Sequence, residues 1–118
     1  MKSNEIMIGD WVAFRGHPYQ YTANDIAAMA ECEAKNIPTD TTEIPLTKDI
    51  LKKNGFVSTP FDSKLVVANA NDHYQVRWDG CMVMARRLGG GEIFVKCKYV
   101  HEIQHVMRLC GIEKEIKL

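Results

Sequence analysis

The chain has 118 residues, 46% of them hydrophobic and 25% charged, a balance that suits a folded domain with its own core and excludes a disordered polyelectrolyte. Fifteen basic side chains offset fifteen acidic ones, so no global field draws the protein to nucleic acid or to a membrane surface. No apolar run approaches the roughly 20 residues that a membrane span needs.

The N-terminal residues lack the apolar core and small-residue cleavage site of a secretory signal, and the expected location is the cytoplasm. Cys32, Cys81, Cys97 and Cys110 are scattered and show no paired spacing, which points to reduced, mostly buried thiols. Charge is unevenly spread. Residues 73–118 hold eight Lys and Arg against five Asp and Glu, leaving the excess of acid in residues 1–72.

In chain order, Ile6–Arg15 reads as strand broken at Gly9-Asp10, then strand again through Phe14. Gly16-His17-Pro18 is turn chemistry, and Tyr19–Tyr21 resumes as strand to complete a hairpin. His17 is expected to sit solvated in that turn. Trp11, Phe14, Tyr19 and Tyr21 suit either core packing or an interface.

A first helix is expected from Thr22, whose hydroxyl can cap free N–H groups while Asp25 reaches back. Tyr21 and Ile26 occupy the positions of a hydrophobic staple. The stripe Ile26, Met29, Ala30 is only weakly apolar, and Glu31 and Glu33 read as a solvated face. Residues 36–43 are polar and read as a surface loop. Thr47 should cap a second helix, with Leu46 and Leu51 as its staple, Asp49 in its first turn, Lys52 and Lys53 in its last, and Gly55 as its stop.

From Leu65 the pattern turns to strands: Leu65–Ala70, His73–Trp78, Cys81–Arg87 and Glu92–Lys98. Asn71-Asp72, Asp79-Gly80 and Gly89-Gly90-Gly91 separate them, so a four-stranded antiparallel meander is expected. Asp79-Gly80 carries the signature of a type I′ turn. Alternation puts Tyr74, Val76 and Trp78 on one face, with His73, Gln75 and Arg77 on the other. Arg77, Arg86, Lys96 and Lys98 can then form a basic stripe around Phe94. Such a stripe is either a solvated sheet face or a seat for single-stranded nucleic acid.

The last helix spans Tyr99 to Gly111. Tyr99, Val100, Ile103, Val106, Met107 and Cys110 fall in an arc of roughly 120° and form its core stripe. Gly111 stops it, with Ile112 folding back on Met107, and Glu113–Leu118 are expected to add a short strand. On the opposite side, His101-Glu102-Ile103-Gln104-His105 spells a zinc-hydrolase signature. Two histidines four apart can share one zinc ion, and Glu102 can act as general base on a bound water. A third ligand is lacking, because Arg108 stands where the longer signature needs glycine and no histidine follows.

Three segments carry a family resemblance and cover about a third of the chain: Asn4–Val12, Ile44–Phe56 and Tyr99–Gly111. In this order they resemble a family of small proteins found in Bacteroidales genomes and their phages or prophages. The resemblance implies a phage or mobile-element setting. It carries over His101 and Gln104 rather than a zinc pair, because the family pattern does not place a ligand at His105.

Together these features predict one α+β domain over residues 1–118. Its parts are an N-terminal β-hairpin, two short helices, and a four-stranded antiparallel meander packed by a C-terminal helix. The expected function is a non-enzymatic accessory protein working through contacts with a protein partner, without cofactor. The alternatives are a zinc-dependent hydrolase using His101, Glu102 and His105, and a single-stranded nucleic-acid binder using Arg77, Arg86, Lys96 and Lys98.

Overall fold

A computed structural model of the chain describes residues 1–60, 64–71 and 73–118. It is an α+β fold with two antiparallel sheets. The chain falls into two compact units, Met1–Ile44 and Pro45–Leu118.

In the first unit, β1 (Trp11–Phe14) pairs with β2 (His17–Gln20) and with β3 (Thr41–Thr42), giving the order β2-β1-β3. The expected hairpin is present, but its turn lies one residue earlier than the sequence suggests. Arg15 and Gly16 both adopt positive φ, as a two-residue I′ loop requires, and His17 is already in strand opposite Phe14. Residues 6–8 form no strand. There the buried Asp10 carboxylate accepts the Met7 N–H at 2.8 Å, and the chain loops instead of extending. β3 lies within the stretch expected to be loop: Thr41 and Thr42 pair with Phe14 and Ala13, and the Thr41 hydroxyl meets that of Tyr21 at 2.7 Å.

Helix α1 (Ala23–Ala34) begins as its sequence dictates. The Thr22 hydroxyl accepts the Asp25 N–H, and Asp25 accepts the Thr22 N–H at 2.9 Å. Tyr21 and Ile26 pack into one cluster with Ile6, Val12 and Met29, which is the core of this unit. Glu33 is not merely solvated: its two oxygens take the Ser3 N–H and hydroxyl, each at 2.6 Å.

The second unit opens with α2 (Lys48–Lys53). Thr47 caps it, and Leu46 and Leu51 are both buried as a staple should be. The sheet that follows has five strands rather than four, in the simple order β4-β5-β6-β7-β8. The addition is β4 (Val57–Ser58), which precedes the expected β5 (Leu65–Asn69), β6 (Tyr74–Trp78), β7 (Met82–Arg87) and β8 (Glu92–Lys96). Two residues are too few to show an alternating pattern, which hides β4 from sequence.

The β6–β7 loop, unlike the β1–β2 loop, is not the type I′ turn expected. Gly80 has φ +102°, but Asp79 does not share it; its carboxylate takes the Cys81 and Met82 N–H groups at 3.0 and 2.7 Å. Those bonds hold the Asp79 carboxyl below its ordinary value. The expected Asn71-Asp72 connection lies partly outside the described residues. In the β7–β8 loop, a Cβ on Gly90 would meet the Cys110 carbonyl oxygen at 2.7 Å, so only glycine fits there.

Helix α3 (Val100–Leu109) packs against β7. Val100, Ile103, Val106, Met107 and Cys110 join Leu51, Phe56, Leu65, Val76, Trp78, Val83 and Ala85 in the buried set. Gly111 stops the helix at φ +75°, and the Ile112 N–H returns to the Met107 carbonyl at 2.8 Å, the arrangement read from sequence. The tail beyond Ile112 is not a strand. It is held by side chains instead: Ile116 is buried, and Asn54 exchanges hydrogen bonds of 2.8 and 2.7 Å with the Lys117 backbone.

Candidate functional site

The zinc-signature residues occupy the first two turns of α3. His101, read from the sequence as lying opposite the core stripe, is only 6% exposed, as is Gln104. The burial of α3 therefore extends beyond the apolar arc. The His101 ring stacks on Tyr99, with centroids 6.0 Å apart and planes 12° from parallel, while His105 meets it edge-on at 5.5 Å. Aromatic packing accounts for the position of the first imidazole.

Glu102 has a definite structural task. Its Oε1 accepts the Lys98 N–H at 2.9 Å and the Tyr99 N–H at 3.0 Å. Tyr99 is the N-cap residue and its side chain makes no cap hydrogen bond, so the carboxylate three residues on closes the helix start. An acidic group in the first turn also complements the helix dipole. The spacing of the two imidazoles would allow both at one ion. Among the described residues, however, no group of three or more His, Cys, Asp or Glu side chains could hold a metal.

Of the four cysteines, Cys97 and Cys110 are buried, Cys32 is half-buried and Cys81 is exposed. Burial pushes the Cys97 thiol up to about 12, with the nearby Glu102 charge adding to the effect. Burial likewise raises Cys110, whose Sγ lies 3.5 Å from the Ala85 carbonyl oxygen. Both thiols therefore stay protonated, unlike the thiolates of nucleophilic or metal-ligating cysteines.

The basic residues fare differently. Strand register and alternation place Arg77, Arg86 and Lys96 on the face of the sheet opposite Val76, Trp78, Val83 and Ala85. Phe94 shares that face and is 70% exposed. Lys98 is not in the sheet: it lies past the end of β8, where its backbone leads into α3 and its carbonyl accepts the Leu46 N–H. The face is not purely basic either. Arg86 is opposite Glu92 and donates to the Gln75 side chain at 3.0 Å.

One feature escapes sequence reading altogether. Register aligns Val57, Val66, Arg77, Met84 and Phe94 in one row across all five strands. Four of the five are apolar, and both ends are open, Val57 being 64% exposed. Val66, Arg77 and Met84 between the ends are half-buried. Exposed apolar residues scattered singly are ordinary, whereas here they continue in a row across the sheet. Finding it required the pairing, because the five residues span nearly forty positions of chain.

The first unit holds the expected interface aromatics. Phe14, Tyr19 and Tyr21 line a cleft of about 630 Å³, with Met29, Ile37 and Pro38. Tyr19 is about half exposed and edge-on to Phe14, and the Arg15 guanidinium lies 5.1 Å from the Phe14 ring centre. Tyr21 belongs to the core. Trp11 is half-buried in β1.

No known protein family, curated protein or solved structure matches the chain. Among the described residues, no helix is long and apolar enough to cross a membrane.

Proposed function

We propose that this is a non-enzymatic binding protein that docks a protein partner on the open face of its five-stranded sheet. The observation that carries the reading is the row Val57, Val66, Arg77, Met84 and Phe94. An apolar strip interrupted by one arginine and flanked by Arg86, Glu92 and Lys96 has the composition of an interface with a polar rim. The resemblance of the three sequence segments suggests the setting, an accessory protein of a phage or mobile element, and the signal-poor N-terminal residues suggest the cytoplasm.

Affinity capture from infected or prophage-bearing cells tests it, using the wild type beside Val57→Asp and Met84→Glu. A specific partner retained by the wild type and lost from both variants is expected. Equal recovery by all three, with each variant folded, would rule out the face.

Single-stranded nucleic acid is the second reading, favoured by Arg77, Arg86, Lys96 and Phe94 sharing a surface. A titration with single-stranded DNA at low and moderate salt decides it. Phosphate contacts make affinity fall steeply with salt, and absence of salt-sensitive binding removes this reading. The zinc-hydrolase alternative is left with two imidazoles, a capping glutamate and no third ligand among the described residues.

A further inference from the structure

Strand β8 is the last strand of its sheet, and among the described residues nothing pairs with its outer edge. The other sheet edges are blunted. β4 and β3 have two residues each, and β2 carries Pro18, which has no N–H to offer. β8 has five residues, Glu92-Ile93-Phe94-Val95-Lys96, and no proline.

The phase of its free groups follows from its bonds to β7. The Cys97 N–H bonds to the Cys81 carbonyl at one end, and the Arg87 N–H to the Gly91 carbonyl at the other. Antiparallel ladders alternate, so residues 91, 93, 95 and 97 direct their backbone groups toward β7. Glu92, Phe94 and Lys96 therefore direct theirs outward.

We propose that two copies of this chain pair antiparallel through β8, about a twofold axis at Phe94, joining their sheets into one. In that register Phe94 faces Phe94 of the second copy, and Glu92 faces Lys96 at both ends. Ile93 faces Val95. The three outward-directed residues become hydrogen-bonded pairs, each exchanging two N–H···O=C bonds. A twofold interface must be complementary to itself, and an acidic and a basic residue equidistant from a central aromatic satisfy that condition.

Lysine on an edge strand normally deters pairing. Here it deters every register except the one that gives it a glutamate, since a slip of two residues opposes Phe94 to a charged side chain. The exposure of the strand fits the same picture. Val95 is on the helix-covered side of the sheet, yet it remains 39% exposed. A second copy of β8 would cover it and place its Ile93 alongside.

The proposal does not rest on the protein partner suggested above: it uses the backbone edge of β8, although Glu92, Phe94 and Lys96 also border the face given to that partner, and Val57→Asp and Met84→Glu, which lie outside β8, test that face separately. The strand pair is a small interface, so the dimer should dissociate in the micromolar range. Sedimentation of the full chain from about 1 to 300 µM spans that range. A wild-type dimer is expected. Glu92→Lys and Lys96→Glu each turn both cross-strand pairs into like-charge pairs and should raise Kd about tenfold or more. Mixing the two variants restores opposite charges at both ends, so the mixture should dimerise where neither variant alone does.

Lys96→Glu is the milder change, because Lys96 neighbours Met82, whereas Glu92 neighbours Arg86 within its own chain. Circular dichroism checks that each variant folds. Should one fail, hydrogen exchange on the wild type serves instead, with protection at Glu92, Phe94 and Lys96 amides expected to rise with concentration. A wild type monomeric over the whole range overturns the proposal. So do a Kd unchanged by either variant, a mixture that behaves as the sum of its parts, and amide protection independent of concentration.

Discussion

Glu102 holds two backbone N–H groups on one oxygen, so truncation and isosteric replacement should separate a cap from a catalytic base. Glu102→Ala removes the acceptor and should cost about 1 kcal/mol in urea unfolding, while Glu102→Gln keeps an oxygen and should cost less than half of that. Equal losses would show that charge rather than capping matters. A pattern of letters could not reveal this, because a capping glutamate and a zinc-protease glutamate occupy the same place in a five-residue string. Bonds to Lys98 and Tyr99 distinguish them. Cys97 offers a second test at this scale. Its folded thiol lies at about 12, above the roughly 8.5 of an unfolded thiol, so the unfolded chain loses its proton first as pH rises. The contribution is fully present below the unfolded value and is lost on the way to the folded one. Stability should therefore fall above about pH 8.5, and Cys97→Ala should flatten that slope. An unchanged slope would assign the alkaline loss to other groups.

At the scale of elements, local chemistry was legible wherever one or two residues control the backbone. Thr22, Thr47, Gly55 and Gly111 fixed helix ends correctly, because a cap or a positive φ needs only its immediate neighbours. The third helix stop of this kind was missed. Asn36, at φ +56°, ends α1, with the Ile37 N–H returning to the Cys32 carbonyl. Asparagine tolerates that conformation less freely than glycine, so its signal is weaker. The short strands β3 and β4 were invisible because tertiary pairing alone defines them. The tail beyond Ile112 was read as strand, yet Asn54 fixes it across 63 positions of chain. Asn54 also donates to the Ile50 carbonyl, so one buried amide ties α2 to the C-terminus. Asn54→Ala should cost roughly 1–3 kcal/mol, since the Lys117 backbone is left without its partner. Exchange of the amides at residues 113–118 should accelerate more than that of α3. Uniform acceleration would mean that the tail and helix open together.

For the whole chain, α+β class and the succession of β5 to β8 followed from hydrophobic alternation and turn residues. The division at Ile44–Pro45 did not, since the polar, proline-containing stretch 36–43 just before it reads equally well as a surface loop within one domain. What distinguishes the two units physically is how much each can bury. The first rests on Ile6, Val12, Tyr21 and Met29, a small cluster for a chain of its length. The second buries Leu51, Phe56, Leu65, Val76, Trp78, Val83, Ile103, Met107 and Ile116, with a five-stranded sheet under a helix. Residues 45–118 produced alone should thus unfold cooperatively and keep their helix and strand signals in circular dichroism. Residues 1–44 produced alone should show no cooperative transition. If 45–118 melts without cooperativity, its core is insufficient by itself, and the sheet must draw stability from the remainder of the chain.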